Sequence, residues 1–241
     1  MDIHLPKVPH SWRELAKEIA IIVIGVLIAL FFEQVAQAWD WKQKVHAADE
    51  AMRAELLGDD GPEIYINAAI HPCVVAQLDS IRSAVESGKP RTEIARQIDD
   101  FWIPFWTYDS TAYTAAEASQ VSFHFDAKQI YPFTQVYASM PILARTNEDQ
   151  ARDSANLKAF RRIGGPVSGE EADRVLGAVE ALRNDARVFW GEARFALPKL
   201  SEIGSLDPRV RQILMDVARQ RYGTCAKDLR PDFPANLPPA F

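Results

Sequence analysis

The run Ile19–Phe32, IAIIVIGVLIALFF, has no polar side chain to offer water, and this limits what the chain can become. Three structures accommodate it: a membrane span, a secretion signal that is cut away, or the core helix of a soluble domain. Its 14 residues fall short of the roughly 20 that cross a bilayer. The flanks make up the difference. Leu15 and Ala16 precede Lys17–Glu18, and Val35, Ala36 and Ala38 follow Glu33–Gln34. Lys17, Glu18 and Glu33 can extend their heads towards the interface. Trp12 stands before the run and Trp39 and Trp41 after it, where aromatic belts lie. A helix from Trp12 to Trp39 rises about 40 Å, close to a bilayer with its headgroups.

The signal reading draws on the run length and on Ala36-Gln37-Ala38, an A-x-A cleavage pattern. Glu14 and Glu18 oppose it, because a signal's leading segment is positive. Continuity opposes it too: Trp41, Val45, Ala48, Met52 and Leu56 follow at steps of three and four, so helical periodicity passes through the proposed cut. A retained span over 19–38 is therefore expected, continuing into a membrane-proximal helix. Lys7, Arg13 and Lys17 precede it, while Lys42 and Lys44 follow, a slight positive-inside bias. Two cysteines on the far side suit an oxidising space. The expectation is a short cytoplasmic tail (1–18), a helical periplasmic domain (39–228) and a Pro-rich C-terminal tail (229–241) in the bacterial inner membrane. Membrane lipid is then a partner.

The stretch KEIAIIVIGVLIALFFEQV resembles the N-terminal helix of a family of uncharacterised bacterial single-pass membrane proteins, with a pattern close to E-I-x-x-I-V-x-G-V-L-I-A-L. Glu18, Ile19, Ile22, Val23, Gly25, Val26, Leu27, Ile28, Ala29 and Leu30 carry the likeness. Weaker likeness extends over HPCVVAQLDSI and FWTYDSTAYTAAEAS. The resemblance implies an anchor with an all-helical body; it brings no reaction, cofactor or catalytic residue.

Within the span, Gly25 and Ala29 form a small-xxx-small pair. Glu18, Ile22, Phe32 and Ala36 extend it into a heptad-like seam, with Glu33 at its end. Small residues let helix backbones approach closely, so self-association or docking to another membrane protein is one expectation. The other is that Gly and Ala simply face lipid.

The body is expected to be an all-α bundle. The first helix should run from about Ser11 to Leu57 and stop at Gly58-Asp59-Asp60-Gly61-Pro62. The next carries Ile66, Ile70, Cys73, Val74, Leu78, Ile81 and Val85 at helical spacing, kinked at Pro72. A short helix over Thr92–Ile98 follows. Pro104 breaks any helix through DFWIPFWTYDSTAY, after which Asp109, Ser110 or Thr111 can cap a helix bearing Ala112, Tyr113, Ala116 and Val121. A helix opening after Asp126 carries Ile130, Phe133, Val136, Tyr137 and Met140, bends at Pro132 and Pro141, and runs polar to Gly164-Gly165-Pro166. Ser168-Gly169-Glu170-Glu171 is a capping box. Its helix puts Ala172, Val175, Leu176, Val179, Leu182, Ala186, Phe189 and Trp190 on one stripe and should end by Pro198. Asp207-Pro208 starts the last helix, with Val210, Ile213, Leu214 and Val217 inward and Gly223 as its stop.

The chemistry-bearing residues are few. Cys73 and Cys225 are either two buried thiols or a disulfide, and closing so long a loop stabilises by about 3–5 kcal/mol on the chain-entropy model. Phe101, Trp102, Phe105, Trp106, Tyr108 and Tyr113 read either as core or as a ligand or partner groove. His4, His10, His46, His71 and His124 are scattered, and His46–Glu50 lacks a third ligand, so no metal site is expected. No catalytic motif and no cofactor signature is found. Asp59-Asp60 and Asp99-Asp100 read as turn and cap carboxylates. A net charge of −6 without a basic block argues against nucleic acid. The role expected is a non-enzymatic scaffold or accessory subunit of a membrane complex. The alternative is a membrane-anchored ligand-sensing domain that signals through a partner protein.

Overall fold

A computed structural model of the protein describes residues 12–162 and 165–226. Most of the N-terminal tail, Lys7 included, and the Pro-rich stretch 229–241 lie outside the described residues. The chain divides into two units, residues 1–47 and 48–241, and no strand occurs among the described residues.

The first unit is helical. Helix α1 spans Trp12–Ala54, and its apolar run leaves every side chain uncovered: Ile21 is 70% and Phe32 66% exposed. None of its most apolar 18-residue window is buried. A soluble core helix would turn this surface inward, since apolar area removed from water stabilises by roughly 25 cal/mol per Å². By length and composition the helix can cross a membrane.

The second unit begins with a departure from expectation. Gly58–Pro62 does not stop the helix. Residues Glu55–Asp60 instead form a π turn, and α2 (Gly61–Glu86) leaves from it directly. Two physical features replace the break. The Gly61 N–H donates to the Leu56 carbonyl, five residues back, and the widened turn gives Pro62, which has no N–H, a place at the start of α2. Gly61 is needed for packing: a Cβ there would collide with the Leu56 carbonyl and meet a Leu206 methyl at 2.5 Å.

Ile66, Ile70, Cys73, Val74, Leu78, Ile81 and Val85 are all buried in α2, and Leu78 and Ile81 are fully enclosed. Pro72 lies inside that helix without ending it. Helix α3 (Arg91–Asp100) follows, then an irregular stretch around Pro104, then α4 (Thr111–Ala118). Val121 falls beyond α4, in a 3₁₀ turn (Val121–His124) entered through Gln120 at φ 60°. Helix α5 (Ala127–Lys158) holds Pro132 and Pro141 within it and passes into a 3₁₀ turn, Ala159–Arg162. Helix α6 (Gly169–Ile203) starts at the capping box: the Glu171 N–H donates to Ser168 Oγ, and Ser168 N–H to the Glu171 carboxylate. It runs past the exposed Pro198 rather than ending there.

Helix α7 (Pro208–Tyr222) is capped by Asp207, which accepts from the Arg209 and Val210 amides. Its inward face is rotated from the one expected. Met215, Ala218 and Tyr222 are buried, whereas Ile213 is 62% exposed. Val217 also faces outward, while Val210 and Leu214 are half-buried. Four apolar residues at helical spacing suggested the stripe, but Met215 and Tyr222, one position round, offer larger side chains to the core.

Helix α6 lies antiparallel to α2. Asp79 pairs with Arg183, Arg82 with Glu180, and the His71 ring with Trp190 at 5.8 Å, so positions rise on one as they fall on the other. It is antiparallel to α5 as well: Lys199 sits over Tyr131, while Asp185 feels Asp153 and Asp149. The main apolar cluster fills the space between α2, α3, α6 and α7. A disulfide joins Cys73 of α2 to Cys225, in the 3₁₀ turn Gly223–Ala226 after α7.

Candidate functional site

Among the described residues two places carry unusual chemistry, one in each unit. In the first, Glu18, Ile22, Gly25, Ala29, Phe32 and Ala36 follow at alternating steps of four and three along α1, which places them on one face. All six are exposed, and open space surrounds the position a Gly25 Cβ would take. Glu33 accepts a hydrogen bond from Gln37 Nε2 at 3.3 Å. The face is apolar along its length, with a carboxylate near either end.

The second place is the π turn. Glu55 is held from two directions: Tyr137 Oη of α5 donates to Oε1 at 2.7 Å, and the Ala112 N–H donates to Oε2 at 2.9 Å. Because Ala112 is the second residue of α4, Glu55 satisfies one of the amides that a helix start leaves without an internal partner. Asp60 is 2% exposed. Its Oδ1 accepts from the Asp109 N–H at 3.4 Å, and its Oδ2 accepts nothing among the described residues. Burial, opposed by that hydrogen bond and reinforced by the charge of Glu55, raises the Asp60 pKa to about 7. Glu63, one turn into α2, is raised to about 8, again by burial first and by Asp60 and Asp59 second. Burial also raises the Tyr108 and Tyr137 hydroxyls above their ordinary value. This cluster can hold protons at neutral pH on groups that ordinarily lose them near pH 4.

The sequence read Asp59-Asp60 as a turn carboxylate pair and missed this cluster. Its only local signal was the dense DDGP beside an otherwise unbroken helical period.

The six aromatic candidates go to several destinations. Phe101 is 1% exposed and belongs to the main core. Trp102 packs on that core beside Tyr222, whose hydroxyl donates to the Trp102 carbonyl, and beneath Arg221. Phe105 is 56% exposed. Trp106 is half-buried, with its carbonyl taken by Asn147 Nδ2. The Tyr108 ring lies against Phe189, and its hydroxyl accepts from Asn67 at 3.0 Å. Tyr113 stacks on Tyr137 at 4.8 Å. Tyr108 and Tyr113 therefore border the π turn, whereas Trp106, like Trp102, packs on the main core.

A groove of about 470 Å³ lies elsewhere, between the end of α5 and the start of α6; Asp153, Asn156, Phe160, Arg174 and Gly177 are among its walls. Among the described residues no group of three His, Cys, Asp or Glu is arranged to hold a metal ion. Compared with protein-family models, curated proteins and solved structures, the chain matches none.

Proposed function

We propose that this protein is a non-enzymatic, single-pass inner-membrane protein that serves as a scaffold or accessory subunit of a membrane complex. Its N-terminus is cytoplasmic and its helical body periplasmic. The observation that carries the reading is the apolar stretch of α1, which leaves all its large side chains uncovered. Exposed apolar surface on this scale calls for lipid or a partner. The Gly25–Ala29 face supports close helix packing within lipid, and the Cys73–Cys225 bridge suits an oxidising compartment. Purification in mild detergent tests the association: a complex is expected, weakened by Gly25→Leu with Ala29→Leu. A lone monomer, indifferent to both substitutions, would overturn it.

The groove of about 470 Å³ favours a second reading, a membrane-anchored ligand-sensing body, because its volume falls within the range of small-molecule sites. Compounds that raise the Tm of the wild type but not of Arg174→Ala would support it.

A further inference from the structure

We propose that the π turn Glu55–Asp60 is a proton-operated latch, closed while the Asp60 carboxyl is neutral and opened when that carboxyl ionises. The geometry is that of a hinge held at three points. Asp109 N–H reaches Asp60, Ala112 N–H reaches one oxygen of Glu55, and Tyr137 reaches the other. These contacts fasten the turn to the segment before α4, to α4 itself and to α5. A π turn is a looser hydrogen-bond register than the helix on either side and recurs where helices change shape for a purpose.

The charges around Asp60 decide the direction. Those that act on it are Glu55 and Asp59 of the same turn and Asp109 of the facing segment, all acidic. Glu63 of α2 feels Asp60 and Asp59. Tyr108, Tyr137 and Asn67 are neutral, and the groups that would meet Gly61 from beyond α6 and within it, Leu206 and Leu200, are apolar. Arg53, on the turn before, is engaged by Asp49 and by the Ile203 carbonyl.

A proton on Asp60 removes one charge from this crowd. It also gives the carboxyl a donor, which an ionised carboxylate lacks. Oδ2 is buried with no hydrogen-bond partner among the described residues, so ionisation places charge on an oxygen that nothing there stabilises and adds repulsion from three neighbours. The available relief is water entry, which requires the turn to part from Asp109 and Ala112. The closed state therefore belongs to mildly acidic conditions and the open state to alkaline ones. The latch does not depend on the scaffold reading, and its test does not involve a partner.

Hydrogen–deuterium exchange on the full chain in detergent, between pH 5.5 and pH 9 and corrected for intrinsic exchange, reads the latch directly. Peptides covering 55–67 and 108–116 should lose protection above the midpoint by about tenfold per pH unit, the limit for a single proton. Peptides from the middle of α6 should not change. Asp60→Asn, nearly isosteric and permanently neutral, should hold both segments closed across the range. Tyr137→Phe should lower protection of the same peptides at every pH while leaving the pH dependence in place, which separates a lost contact from a lost switch. Equal protection of the wild type at the two extremes would overturn the proposal. So would an undiminished pH dependence in Asp60→Asn.

Discussion

Carboxylates of this protein respond to pH in opposite senses, and their surroundings explain why. Glu171 receives both Arg91 contacts, at 2.7 and 2.8 Å, and the Ser168 N–H. Arg91 first, and Ser168 after it, hold its pKa down at about 2. A depressed carboxylate contributes stability that is complete above its ordinary value of 4.5 and lost as pH falls towards 2. Asp60 and Glu63 are raised, so the folded state binds more protons than the unfolded chain between their ordinary values of 3.8 and 4.5 and their shifted values near 7 and 8. Their contribution is present below pH 4 and lost as pH climbs to 8. The body should therefore lose stability from pH 5 to pH 8.5, by several kcal/mol, at up to about 1.4 kcal/mol per pH unit for each group. Urea midpoints at the two pH values check this; a rise across that interval would contradict it. Asp60→Asn should flatten the decline. None of this was legible from Asp60 alone, because its burial is imposed by contacts such as Asp109 and by neighbours such as Tyr137, distant in sequence.

Helix faces were the most legible feature. The inward residues of α2 were readable because each recurs at three or four positions, and one side of that helix meets α6. The Ser168 box was readable because it is chemistry local to four residues. Ser168→Ala removes the acceptor for the Glu171 amide and should cost about 1 kcal/mol, seen as a lower urea midpoint; Ser168→Asp should restore most of it. Boundaries set by tertiary contact were not readable. Gly58–Pro62 has the composition of a stop, yet a register shift carries the helix through it. Pro198 is tolerated in α6, where its ring faces outward. Helix α7 has two apolar stripes one residue apart, and only packing against the core selects Met215, Ala218 and Tyr222. The aromatic segment was readable as important but not as divided among several contacts.

For the molecule as a whole, the bridge between Cys73 and Cys225 spans 152 residues. Removing it restores chain entropy to the unfolded state, worth about 4–5 kcal/mol for a loop of this length. A reductant should therefore lower the Tm of the body by at least several degrees, and Cys73→Ser with Cys225→Ser should reproduce the drop without added reductant. An unchanged Tm would mean the helices alone set stability. The bridge has another effect, on what a protease can achieve. A single backbone cut in the irregular stretch near Pro104, or between Gly165 and Ser168, would leave one covalent molecule. Everything from the cut to Cys225 would remain tethered to the N-terminal helix, and only a cut followed by reduction could set it free.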